Sequence, residues 1–185
     1  MKSRTDRLIL WCCLIPPSLL VLCFVGLMCV VAITRAKHWR PVSIVGRTME
    51  PALPEGDKLF VDESYYLHHN IADGDIIVFR HNGLSLVKRV TAIGGEAVEG
   101  RGGVLLRNGH ALIEPYARYS KESSPVLQTF GVRVVPTDEI FVTGDNRDLS
   151  FDSRAPEFGA VKTSDVTGKA AMIYWSKHGA AGRTF

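Results

Sequence analysis

Thr143-Gly144-Asp145-Asn146-Arg147-Asp148-Leu149-Ser150-Phe151-Asp152-Ser153-Arg154 concentrates turn formers, hydroxyls and charges of both signs in one short block. It follows an apolar run, Asp138 to Thr143, that reads as a strand, and it closes near Phe158-Gly159. Asp152 and Arg154 are spaced to form an ion pair that pins a loop, and Ser150 and Ser153 can donate hydrogen bonds to a nearby base. Two other readings fit the block in isolation. One is a solvated surface turn. The other is a calcium loop built on Asp145, Asn146 and Asp148, although Arg147 and Arg154 intervene and no bidentate glutamate stands at the twelfth position.

The strand Leu84-Ser85-Leu86-Val87-Lys88-Arg89-Val90-Thr91-Ala92-Ile93 lies upstream. Side chains alternate across a strand, so one face carries Leu84, Leu86, Lys88, Val90 and Ala92. Lys88 therefore interrupts an apolar face. Burial disfavours an ammonium and lowers its pKa, and a neutral amine near pH 7 is what a lysine general base requires. The alternative is a lysine that snorkels from a strand edge with its head in water. A partner hydroxyl would make it half of a hydroxyl–lysine dyad. None of the histidines (His38, His68, His69, His81, His110, His178) has a triad context.

Farther upstream, Val45-Gly46-Arg47-Thr48-Met49-Glu50-Pro51-Ala52-Leu53-Pro54-Glu55-Gly56-Asp57 is a poor helix and a poor central strand, because prolines and glycines punctuate it. It reads as a shaped loop presenting a hydroxyl. Further strands are expected at Lys58–Asp62, Asp75–Arg80, Gly103–Arg107, His110–Glu114 and Thr167–Trp175, the last with Ala171, Ile173 and Trp175 on one face. Asn108-Gly109 signals a hairpin. Tyr116 to Arg133 lacks periodicity and reads as a surface excursion. The expected fold class is an all-β domain, a sandwich or partly open barrel, with no helix outside the N-terminal segment. Leu53 and Phe60 suit either the core or a lipid surface.

Leu8 to Thr34 contains no charged residue, and a spanning helix needs about 20 apolar residues. The run exceeds a signal-peptide core of about 7–15 residues and is followed by only a weak cleavage site, so a retained anchor is favoured over a cleaved signal. The expected division is a tail and single transmembrane helix over residues 1–41, spanning about 8–34, and a folded domain outside the membrane over 42–185. Trp39 with its flanking bases suits an interfacial position. Basic residues on the two sides, Lys2, Arg4 and Arg7 against Arg35, Lys37 and Arg40, nearly balance, so charge alone does not orient the helix. Cys12, Cys13, Cys23 and Cys29 all fall inside the run. This leaves the rest of the chain without a thiol nucleophile or a cysteine metal site. A net charge of +3 without a basic block argues against nucleic acid as a partner.

Together these blocks resemble the type I signal peptidase (leader peptidase) family. The residues that carry the resemblance are Thr48-Met49-Glu50-Pro51-Ala52-Leu53 with Gly56-Asp57, Gly74-Asp75-Ile76-Ile77-Val78-Phe79, Val87-Lys88-Arg89-Val90 and Gly144 to Arg154. The single anchor and short inter-block regions look like compact members, including peptidases of conjugative transfer systems that mature pilin precursors. The resemblance implies a serine-type endopeptidase that removes leader peptides after small residues by a hydroxyl–lysine dyad, without cofactor or metal. It implies Thr48 at the nucleophile position, Lys88 as general base and Ser150 holding the amine. Asp152 and Arg154 would form a supporting ion pair, Asp145 and Asn146 a buttressing loop, and Met49 part of the pocket. Its implied partners are precursor proteins and membrane lipid. Its implied location is the bacterial inner membrane, with the domain on the periplasmic or extracytoplasmic side. Two positions depart from the family pattern: Thr48 stands where a serine is usual, and Gly46 where a second serine assists the oxyanion hole. They admit an alternative, a catalytically impaired relative that binds precursors or serves a secretion or conjugation apparatus.

Overall fold

The computed structural model describes residues 16–36, 38–119 and 129–185. The chain divides into two compact units, Met1–His38 and Trp39–Phe185. In the first, helix α1 spans Pro17–Ala36. Its Leu20, Leu22, Phe24 and Leu27 side chains are exposed. Among the described residues no helix is long and apolar enough to cross a membrane. The stretch expected as a span, residues 8–34, lies partly outside the described residues.

The second unit is built from antiparallel strands. These are β1 (Trp39–Ser43), β2 (Lys58–Asp62), β3 (Ile76–His81), β4 (Leu84–Ile93), β5 (Ala97–Arg101), β6 (Val104–Arg107), β7 (His110–Ala111), β8 (Phe130–Val134), β9 (Glu139–Thr143), β10 (Val161–Lys162) and β11 (Val166–Trp175). They form a seven-stranded sheet in the order β1-β2-β11-β3-β4-β9-β10 and a four-stranded sheet in the order β7-β6-β5-β8. β3 is central and covered on both faces, which explains its continuous apolar run Ile76-Ile77-Val78-Phe79. Ile76 and Val78 pack with Leu53, Leu59 and Ile173. Ile77 and Phe79 pack on the other face with Val90, Val142 and Phe158. A third cluster, with Val98, Leu105, Phe130 and Phe141, joins the small sheet to the large one. At the corner between the sheets only glycine fits at 94, because a Cβ there would overlap the Thr137 and Pro136 carbonyls.

Three expectations change. The Tyr116–Arg133 stretch is not all surface loop: its end enters β8, which pairs with β5, and Arg118 forms a bridge to Asn146. Residues 120–128 of that stretch lie outside the described residues. Ala171, Ile173 and Trp175 do not share a face. Register shifts between Ala170 and Met172 and between Ile173 and Trp175 move the alternation, so Ala170 and Ile173 are buried while Trp175 is exposed. On β4 a shift between Val90 and Ala92 buries Thr91 as well as its neighbours. Of the two residues that suited core or lipid, Leu53 is wholly buried. Phe60 is half-buried, its ring stacked on Tyr174 and meeting the edge of Trp39.

Candidate active site

β4 sets the site. Its first half, Leu84 to Lys88, pairs with β3 on one side, whereas β9 joins the other side only from Arg89 onward. The edge of β4 beside Lys88 is thus unpaired among the described residues. An apolar cleft of about 480 Å³ opens there, lined by Val42, Ser43, Ile44, Val45, Thr48, Met49, Leu84, Leu86, Lys88, Leu149, Phe151 and Phe158 among others. Thr48 and Lys88 therefore face one space.

Lys88 is 4% exposed. Its strand neighbours Leu86 and Val90 pack into the cluster containing Phe79, Val142 and Phe158. Burial among these groups lowers the Lys88 pKa from 10.5 to about 8, with Asp152 opposing the shift and Arg154 adding to it. Nζ donates to Ser150 Oγ at 3.0 Å. Ser150 Oγ also accepts from the Gly144 N–H at 3.1 Å, so the hydroxyl is fixed from two directions. Among the described residues no hydrogen bond joins Lys88 to Thr48. Catalytic hydrogen bonds are often formed only with substrate in place.

The block after β9 wraps this pair. Asp152 Oδ2 accepts from the Gly144 N–H at 2.9 Å, and Asp152 Oδ1 accepts from Arg154 Nε at 2.8 Å. Arg154 Nη2 donates to the carbonyls of Arg147 and Ser150. A carboxylate and guanidinium this deeply buried are tolerated only when paired and hydrogen-bonded, as they are here. Asp145, wholly buried, is held by Arg89 through bonds of 2.8 and 2.7 Å. Burial raises the Asp145 pKa against the pull of Arg89. The Asn146 N–H donates to the Thr48 carbonyl at 3.0 Å, which ties the turn after β9 to the hydroxyl loop.

That loop is closed at its base, where the Ile44 N–H donates to the Asp57 carbonyl and the Gly56 N–H to the Ile44 carbonyl. Met49 is buried at the cleft floor, and Leu53 anchors the loop in the core. Thr48 itself is half-buried. Gly46 has φ of +82°, a left-handed conformation that favours glycine, so its missing hydroxyl goes with the backbone path of the loop.

Some site residues had no signal in the sequence. Arg147 is wholly buried and pairs with Glu114, 33 positions away, and Arg89 carries Tyr116 over its guanidinium at 4.0 Å. Glu114 and Tyr116 come from a stretch whose pattern showed no partner. Among the described residues no cluster of His, Cys, Asp or Glu is grouped to hold a metal ion.

Comparison with known proteins supplies the class. A family model described as signal peptidase, peptidase S26, matches residues 18–175. The chain belongs to this signal peptidase family. It is similar to signal peptidase I P of Bacillus subtilis subsp. natto, 32% identical over 144 residues, covering 74% of this chain and 77% of that protein. It is also similar to signal peptidase IB of Staphylococcus aureus strain Mu50, 32% identical over 149 residues, covering 73% and 77% respectively. A crystal structure of a signal peptidase I from Enterococcus faecalis V583 is 34% identical and superposes with a TM-score of 0.48, covering 56% of this chain and 98% of that one.

Proposed function

We propose that this chain is a membrane-anchored endopeptidase that removes leader peptides from exported precursors, with Thr48 as nucleophile and Lys88 as base. The observation that carries this reading is the Lys88 amine: buried, held by Ser150, lowered to a pKa of about 8, and lining the same cleft as the Thr48 hydroxyl. A precursor lies extended in the cleft, where the unpaired edge of β4 from Leu84 to Lys88 offers backbone hydrogen bonds. The apolar walls favour small, uncharged residues before the scissile bond.

In the reaction, neutral Lys88 Nζ takes the proton of Thr48 Oγ1 as that oxygen attacks the scissile carbonyl. The Thr48 N–H, which makes no hydrogen bond among the described residues, is the donor available to the developing oxyanion. The Lys88 ammonium returns the proton to the leaving amine, and the released fragment is the mature chain. Water, deprotonated by the same amine, then hydrolyses the ester on Thr48. Ser150 orients the amine throughout, while Asp145, Asn146, Asp152 and Arg154 hold the turn.

The uncharged run from Leu8 to Thr34 supports an anchor, with residues 1–41 as tail and span and residues 42–185 as the extracytoplasmic domain. The compact organisation supports a role in processing either secreted proteins or conjugative pilin precursors. Two features favour a second reading, a precursor-binding protein without catalysis. These are the threonine at position 48 and the absent hydroxyl at Gly46. The readings separate by incubating detergent-solubilised native, Thr48→Ala, Thr48→Ser and Lys88→Ala proteins with a small-x-small precursor peptide. Cleavage by the native protein that both alanine variants lose supports catalysis. No native cleavage at any pH from 6 to about 10, set by the range over which Lys88 titrates, refutes it.

A further inference from the structure

The segment Glu114–Tyr119 leaves the small sheet after β7 and returns to the catalytic turn, where it makes contacts that the proposed reaction leaves unexplained. The Arg118 N–H donates to the Asp145 carbonyl at 2.7 Å, and the Arg147 N–H donates to the Arg118 carbonyl at 2.9 Å. The Glu114 carboxylate takes Arg147 end-on, Oε2 from Nη1 at 3.0 Å and Oε1 from Nη2 at 2.5 Å. The Tyr119 hydroxyl accepts from Arg147 Nη1 at 2.7 Å. The third nitrogen of the guanidinium, Nε, donates to the Gly144 carbonyl at 2.8 Å.

The Arg147 side chain is fully buried and that of Glu114 is 6% exposed. A bidentate carboxylate partner fixes the plane of a guanidinium as well as its charge. With that plane fixed, Nε holds one face of the Gly144 residue while its N–H points to Ser150 Oγ and Asp152 Oδ2. Gly144 packs closely against the site: a Cβ on it would overlap Ser150 and the Thr48 carbonyl, so a displacement of this residue is felt at both.

We infer that Glu114 is a positioning residue for the site: through the Arg147 guanidinium it fixes Gly144, and Gly144 in turn aims the Ser150 hydroxyl that holds the Lys88 amine. Glu114 touches neither substrate nor base. It acts from the segment that follows β7, on a turn that carries Ser150 and, through Asn146, steadies the Thr48 loop. The inference rests on the reading of Lys88 as base.

Glu114→Gln tests it, since the amide keeps the shape but removes the charge and one acceptor. Removal of the clamp lets Gly144 and Ser150 shift and admits water to Lys88, whose lowered pKa comes chiefly from burial. In the full-length, detergent-solubilised variant, kcat for a small-x-small precursor peptide should fall about tenfold or more while KM stays within about twofold, because only the transition-state geometry is disturbed. Competitive acetylation across pH, read by mass spectrometry at Lys88, should give an apparent pKa raised by about one pH unit or more above the native value. Tyr119→Phe, which removes one contact to Arg147, should move both readouts the same way by less, and serves if Glu114→Gln does not fold. A folded Glu114→Gln protein with native kcat and a native Lys88 labelling profile overturns the inference, as does a change confined to KM. Labelling does not depend on turnover, so a native protein that fails to cleave refutes the proposed reaction while the labelling arm still decides the role of Glu114.

Discussion

Replacing Lys88 by methionine should abolish turnover and make the protein more stable at neutral pH. The side chain sits almost wholly buried, and its pKa drops from 10.5 to about 8. Each pH unit corresponds to about 1.4 kcal/mol, so holding the ammonium in this site costs about 3 kcal/mol relative to the unfolded chain. Methionine keeps the length and apolar volume of the chain and removes the charge. The lost bond to Ser150 returns about 1 kcal/mol of that gain, while Ser150 Oγ keeps its partner in the Gly144 N–H. The expected net gain at pH 7 is about 2 kcal/mol.

The sign with pH follows from proton counting. Below pH 8 both the folded and the unfolded native chain carry the proton, so the cost is present in full. Between about 8 and 10.5 the unfolded chain still binds a proton that the folded one has released, and native stability rises with pH. The advantage of the methionine variant should therefore shrink across that window, and above it the native protein should be the more stable by about the 1 kcal/mol of the Ser150 bond. Urea unfolding of the two proteins in matched detergent, followed by tryptophan fluorescence at pH 7 and pH 10, measures it. A methionine variant that is less stable at pH 7, or a difference that does not change with pH, would refute the reasoning that Lys88 is a desolvated, strained base.

Four further outcomes are expected. The logarithm of kcat/KM should rise with unit slope and level off above about pH 8, with activity at pH 7 about a tenth of the plateau, as a peptide-cleavage pH series will show. Thr48→Ser should raise kcat about tenfold to a hundredfold, because loss of the β-methyl frees χ1 and clears the approach to the carbonyl; steady-state kinetics on one peptide measures it. Ser150→Ala leaves the Lys88 amine without its 3.0 Å partner and should lower kcat about 10²-fold with a small change in KM. Gly144→Ala should destabilise the protein by about 1–3 kcal/mol or more in urea unfolding, since the new methyl overlaps both Ser150 and the Thr48 carbonyl.

Much of the architecture was legible because local pattern and tertiary role coincide. β2 and β4 have the boundaries expected of them. The interruption of an apolar face by Lys88 was visible as a conflict within a single strand, and such conflicts mark functional sites. β8 was illegible for a definite reason. Its apolar Val132 and Val134 are exposed while Phe130 is buried, so the alternation does not report which face meets the core. β11 misled because its bulges reset the alternation partway along. The Glu114–Arg147 and Arg89–Asp145 pairs join residues 33 and 56 positions apart, and nothing local in either partner announces the other. The role suggested for Asp145 came from family resemblance, whereas the pairing of Arg154 with Asp152 was readable from their spacing. The physical reason for such deep burial, a closed set of hydrogen bonds around Gly144, needed the fold.

The measurement that bears most directly on the account is identification of the residue acylated during turnover. A precursor peptide is mixed with the native protein, the reaction is stopped in acid within the first turnovers, and the protein is digested and mapped by mass spectrometry. The leader fragment should be found as an ester on Thr48, absent in Thr48→Ala and Lys88→Ala. An ester on Ser43 or Ser150, or sustained cleavage with Thr48→Ala, would contradict the assignment of Thr48 as the nucleophile activated by Lys88.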